Sequence, residues 1–91
     1  MMTYPEPTTI AEVIRHHIVR NGISISEACR RSELARGTLA QWLNGQRIPS
    51  IHALLKLCIG LYGEHDYKQA YLDISHIIAD EVEKKLQQSN Q

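Results

Sequence analysis

The sequence contains no phenylalanine, and its aromatic residues are one Trp and four Tyr. Its apolar content is carried instead by Leu, Ile, Val and Ala, a globular mix with helix-favouring character. It also lacks any run of 18 apolar residues, since Lys56 interrupts the richest stretch; no membrane-spanning helix is expected. No basic start precedes an apolar run with a cleavage site, so no secretory leader is expected. Cysteine is scarce. Cys29 and Cys58 are too few for a disulfide framework. Both fall on apolar stripes, where reduced thiols behave as small hydrophobes, as in a cytoplasmic chain. There is no Gly-rich phosphate loop, no His-Glu-x-x-His and no Cys/His cluster at metal spacing. His16 and His17 point roughly 100° apart on a helix and make a poor chelate. The chain is therefore expected to be no enzyme and to hold no metal or cofactor.

What is present suits one small domain of 91 residues with a modest core, which dimerisation would help to stabilise. The formal net charge of zero hides an asymmetry. Residues 15 to 56 carry Arg15, Arg20, Arg30, Arg31, Arg36, Arg47 and Lys56 against Glu27 and Glu33, a net +5. Residues 64 to 91 carry Lys68, Lys84 and Lys85 against Glu64, Asp66, Asp73, Asp80, Glu81 and Glu83, a net −3. A basic middle favours a polyanionic partner, and the acidic tail should point away from it.

Residues 1 to 8 hold two prolines without periodicity and read as a lead-in. Thr9 to Glu12 is a capping box. Ile10, Val13, Ile14, His17 and Ile18 then follow the spacing of an amphipathic helix that ends at Asn21-Gly22. His17, on the apolar stripe, reads as a partly buried histidine with one satisfied nitrogen. Ser24 to Glu27 is a second capping box. It opens a two-turn helix whose shared face is Ile25, Ala28, Cys29 and Ser32, so Arg30 and Arg31 face elsewhere. Ser50 caps a helix with a stripe of Ile51, Leu54, Leu55, Cys58, Leu61 and Tyr62. Leu57 and Ile59 widen that stripe, which predicts contact with two neighbours. Gly63 ends it. From Asp66 to about Gln88 a last helix carries Tyr67, Ala70, Tyr71, Ile74, Ile77, Ile78, Val82 and Leu86.

The stretch RGTLAQWLNGQRIPS, Arg36 to Ser50, is unusual. Advancing roughly 100° per residue places Leu39 and Trp42 on one side. Arg36, Gly37, Ala40, Gln41 and Asn44 fall opposite. One face is an anchor, and the other is small and polar with a single charge. An ordinary solvated face would carry long Lys and Glu. A glycine is a poor helix residue, so its gain here should be close approach of another surface.

The segment SISEACRRSELARGTLAQWLNGQRIPS resembles the helix-turn-helix core of the XRE family, the lambda-repressor-like and Cro-like DNA-binding domains. The matching positions are Ser24, Glu27, Thr38, Trp42, Gly45 and Pro49, with Leu39 where Ile is usual. The resemblance covers residues 9 to 63 and leaves out the tail. It implies an all-α lambda-repressor-like domain at 9 to 63; with the last helix read above as a C-terminal extension at 64 to 91, the chain is expected to have five helices. The departures are specific. Ala28 stands in place of a larger Leu, Ser32 in place of a more apolar residue, and Leu43 in place of a common Glu. Glu33 stands where the turn often has Gly. Ala35 replaces a Ser or Thr N-cap, at about 1 kcal/mol.

In such domains the second helix of the motif enters the DNA major groove by its N-terminal residues. The resemblance therefore implies that Arg36, Gly37, Ala40 and Gln41 meet base edges. Arg36 would donate to guanine O6 and N7, and Ala40 would touch a thymine methyl. Ser24, Ser26, Thr38, Asn44, Gln46 and Arg47 would meet phosphates, which set register rather than sequence. With few lysines, about four to eight phosphates per dimer are expected, giving a modest salt slope. The expected partner is double-stranded DNA, bound by a homodimer across half-sites about 34 Å apart. Tyr71, Ile74, Ile78 and Val82 on the tail helix are candidates for the dimer contact. The same helix would alternatively cover Leu57 and Ile59 of its own chain. The competing function is an antitoxin or adaptor that grips a protein partner through the tail.

Overall fold

The computed structural model describes residues 9–89, so the lead-in at 1 to 8 lies outside the described residues. Five helices follow in order: α1 (Ile10–Arg20), α2 (Ile25–Ser32), α3 (Arg36–Leu43), α4 (Ile51–Tyr62) and α5 (Tyr67–Ser89). Among the described residues there is no strand, in agreement with the all-α expectation.

Each of the first four helices starts where a side chain or backbone device permits. Thr9 Oγ1 accepts from Glu12 N at 3.1 Å and donates to the Glu12 carboxylate at 2.9 Å. Ser24 Oγ accepts from Glu27 N at 3.0 Å, and Ser50 Oγ accepts from Ala53 N at 3.2 Å. Ala35 caps α3 without any side-chain bond, as its methyl group requires. The second capping box is only half formed, because the Glu27 carboxylate turns to Arg30 and Arg31 instead of back to the Ser24 backbone.

The core is drawn from every helix. Ile10, Val13, Ile14 and Ile18 of α1 pack with Ala28 and Cys29 of α2 and with Leu39 and Trp42 of α3. Leu54, Leu57, Cys58 and Leu61 of α4 and Ala70 and Ile74 of α5 complete it. Both cysteines are free and buried, and burial pushes the Cys58 thiol up to about 12. Both nitrogens of buried His17 are engaged, one more than the sequence suggested. Nδ1 meets the Tyr62 hydroxyl at 2.6 Å and Nε2 meets the Asp73 carboxylate at 2.8 Å. One imidazole thereby ties α1 to α4 and α5.

Some expectations need correction. Ile25 shares the azimuth of Ala28 and Cys29 but, at the first position of α2, is exposed. Ile51 and Ile59 are also exposed. α4 does pack against two neighbours, α2 and α5; Leu57 is fully buried, whereas Ile59 stays partly exposed and lines a groove with Arg31, Ser32 and Glu33. Most consequential is Ile74, named above as a dimer contact. It is 0 % exposed, so its side chain is spent within its own chain and offers nothing to a second copy. Tyr71, Ile78 and Val82 are half-buried.

Two close approaches hold the architecture. A Cβ on Gly60 would lie 2.5 Å from Ser32 Oγ and 2.9 Å from the Arg31 carbonyl carbon. α2 therefore crosses α4 at a distance that only glycine allows at this position. The other is at the far side, where Ile10 N at the start of α1 donates to the Glu81 carboxylate of α5 at 2.6 Å. An anion at a helix N-terminus is favoured by its unpaired N–H groups and dipole. The tail is thus fastened across α1 and α4, with the residues from 83 to 88 exposed beyond it.

Candidate nucleic-acid interface

α3 is held by two anchors. Leu39 is 0 % and Trp42 3 % exposed, and α3 packs against α1 and α2. The 3.6-residue period then turns the remaining positions outward. Arg36, Gly37, Ala40 and Asn44 are exposed, and Thr38 and Gln41 are half-exposed. The sequence-predicted base-contact set thus shares one free face. A Cβ on Gly37 would meet no heavy atom within 4 Å, so nothing inside this chain requires glycine there.

The turn that presents α3 is tight. Leu34 N donates to Cys29 O at 3.0 Å, and Glu33 adopts the left-handed conformation at φ 55° and ψ 40°. A side chain there is disfavoured by roughly 1–2 kcal/mol relative to right-handed backbone. This is the physical reason that glycine is usual at the corresponding position of the resembling domains.

The other end is closed by a compact loop. Gln46 N and Arg47 N both donate to Gln41 O, at 2.9 and 3.2 Å. Asn44 Oδ1 accepts from Gln46 N at 3.1 Å, and Gly45 takes φ 80°. The backbone N–H groups of Gln46 and Arg47 are therefore occupied, and only their exposed side chains remain to meet a ligand. Ser24 and Ser26 are exposed at the start of α2. The Ser24 hydroxyl oxygen already accepts from Glu27 N within the cap, and the residue is exposed.

Electrostatics narrows the cationic set. Arg30 and Arg31 share the Glu27 carboxylate, the Arg31 bond being 3.0 Å. Those bonds hold the Glu27 carboxyl down to about 2, so it remains ionised and offsets one of the two arginines. Arg36 and Arg47 have no ion pair among the described residues. A groove between α2 and α4, lined by Arg31, Ser32, His52 and Ile59, and another between α4 and α5, lined by Leu55, Tyr67 and Tyr71, include none of the exposed α3 residues.

Among the described residues no group of three or more His, Cys, Asp or Glu is placed to hold a metal. None of the helices is long and apolar enough to cross a membrane. Sequence reading missed Gly60, Glu81 and Asp73, which support the site from a distance. Gly60 was legible as an unexplained glycine inside a helix, whereas the contacts of Glu81 and Asp73 join residues 71 and 56 positions apart and left no local signal.

A protein-family model described as Helix-turn-helix matches residues 14–61, from within α1 to the penultimate residue of α4. The chain belongs to this helix-turn-helix family, of the XRE type. It therefore carries a DNA-binding domain of the transcription-regulator kind, from a family that is not typically enzymatic. No curated protein and no solved structure matches the chain. The helix-turn-helix match stops before α5, so the role of that helix must be argued from its own residues.

Proposed function

We propose that the chain is a cytoplasmic, sequence-specific transcriptional repressor that binds a palindromic operator as a homodimer. The reading is carried by the outer face of α3, where Arg36 leads, Gly37 and Ala40 stay low, and Gln41 follows on the side opposite two fully anchored residues. Arg36 reads guanine and Gln41 an adenine edge, each in bidentate geometry. Gly37 and Ala40 bring the helix axis close to the base pairs. Ser24, Ser26, Thr38, Asn44, Gln46 and Arg47 grip the flanking phosphates and fix the register. Repression follows from occupancy, since the protein needs only to cover a promoter.

An antitoxin or adaptor role is the second reading. It is favoured by the exposed Leu72 and Leu86 on the outer side of α5, which are available to a protein partner without disturbing α3.

Selection of binding sites from random duplexes tests the first reading. The expected result is an enriched sequence with two inverted half-sites about 34 Å apart. Enrichment of no sequence, with equally weak binding to every duplex, would favour the adaptor role.

A further inference from the structure

Where α2 crosses α4, Ser32 is only 3 % exposed, and its hydroxyl oxygen finds no hydrogen-bond partner among the described residues. Buried hydroxyls are nearly always partnered, so one that is not asks for an explanation. Ser32 and Gly60 both line the groove of about 340 Å³ between the two helices. That volume falls at the small end of the roughly 300–1,000 Å³ that small-molecule sites span. Leu55 and Ile59, four residues apart on α4, give the groove an apolar lining. Ser32 ends α2 and Glu33 is the left-handed corner that follows it, so the groove lies at the joint that presents α3.

The groove also carries charge. Lys56, one turn before Gly60, is half-buried in its lining and has no ion pair among the described residues. Arg31 lines it from α2 and gives its Nε–H to Glu27, which leaves further guanidinium N–H groups to meet a ligand. Glu33 is the one carboxylate in the lining. With His52 neutral, two cations stand against one anion, a balance that suits a ligand of single negative charge. The groove between α4 and α5 also joins apolar side chains to a lysine, but there Lys68 is exposed and no buried side-chain polar atom lacks a partner.

We infer that the groove between α2 and α4 binds a small apolar monocarboxylate. Its hydrocarbon body lies on Leu55 and Ile59, and its carboxylate accepts from the Lys56 ammonium and the Ser32 hydroxyl. The Ser32 oxygen is covered as the groove stands, so the side chain turns about its Cα–Cβ bond to reach the ligand. The lining is rich in cationic donors and lacks an acceptor for that hydroxyl, which a carboxylate supplies. An alkylammonium would be repelled by Lys56 and Arg31. A neutral alcohol would leave Lys56 without a counter-charge, and inorganic phosphate would leave Leu55 and Ile59 in water. The inference goes beyond the operator reading and does not depend on it, since the ligand is read on the DNA-free protein.

Titration of the full chain with octanoate, below the concentration at which it forms micelles and followed by amide NMR, tests this. Octanol is the neutral probe and inorganic phosphate the polar anion. Octanoate is expected to shift the amides of Ser32, Glu33, Lys56 and Gly60 and to bind about tenfold more tightly than octanol. Phosphate should leave those amides in place. Lys56→Gln should raise the octanoate dissociation constant about fivefold and leave octanol binding unchanged. Ser32→Ala should weaken octanoate by about fivefold without lowering the thermal midpoint, because the hydroxyl gives up no bond in the free protein. The site would be overturned by octanoate that does not bind, by octanol that binds as tightly, or by phosphate that shifts the same amides equally. Shifts centred on Tyr67 and Tyr71 of the other groove, or Lys56→Gln and Ser32→Ala chains that bind octanoate like wild type, would overturn it too. Inverted half-sites recovered by selection alongside any of these results would leave the operator reading standing, and octanoate bound as described by a chain that selects no duplex would defeat that reading alone.

Discussion

At the scale of single residues, glycines and paired charges decide what the fold tolerates. Gly60 has the clearest signature, since an added methyl group would press on Ser32 and on the backbone of α2. Overpacking of this kind costs about 1–3 kcal/mol. Gly60→Ala should therefore lower the thermal midpoint by several degrees despite the better helix propensity of alanine, as calorimetry would register. Glu27 makes a prediction in pH. Its folded carboxyl is held at about 2 against an ordinary 4.5 by Arg30 and Arg31. Its contribution to stability is fully present above pH 4.5 and is lost as pH falls towards 2. Glu27→Gln should flatten the acid limb of the stability curve in that window and leave its shape above pH 5 unchanged. A denaturation series from pH 2 to 7 would read the difference.

At the scale of elements, α3 is built against its own stability. It has eight residues, no side-chain cap and no basic residue in its last turn, and glycine fills its second position. Gly37→Ala meets no neighbour within 4 Å, so the substitution should stabilise the free protein by up to about 1 kcal/mol. On the proposed reading, in which Gly37 meets base edges, the same methyl group would stand between helix and base pairs. Operator affinity is thus expected to fall while the thermal midpoint rises, a pair of opposite changes that a merely structural glycine would not give. α2 and α3 were largely legible in the sequence because their signals are local: Ser24 ahead of a short apolar face, and Leu39 and Trp42 three apart. α5 was legible as a helix but not in its docking. Ile74, Ile78 and Val82 looked alike in periodicity, and only the packing of α1 and α4 separates the fully buried Ile74 from the half-exposed others.

At the scale of the whole molecule, the acidic tail is fastened on the side where it supports the domain without covering α3. The Glu81 carboxylate on Ile10 N and the Asp73 carboxylate on His17 hold it down. Glu81→Ala should cost about 1 kcal/mol, in the range of an N-terminal charge interaction combined with a lost hydrogen bond. Chemical denaturation with both midpoint and slope would measure it, and salt would reduce the loss. The arrangement also separates the charges: the exposed Arg36 and Arg47 lie on and just beyond α3 and the carboxylates of α5 lie elsewhere, so a polyanion can approach the motif. The charge asymmetry in the sequence pointed to this separation. Which carboxylates clamp α1 did not show there, because those contacts join residues far apart in the chain.

The most direct measurement is the affinity of the wild type and of an Arg36→Ala, Gln41→Ala chain for a selected duplex and for a scrambled one, at one fixed salt concentration. If the face opposite Leu39 and Trp42 reads bases, the double substitution should reduce the preference for the selected duplex by at least about tenfold, each bidentate contact being worth about 1–3 kcal/mol, while binding to the scrambled duplex weakens far less. An unchanged preference in the doubly substituted chain would contradict the account.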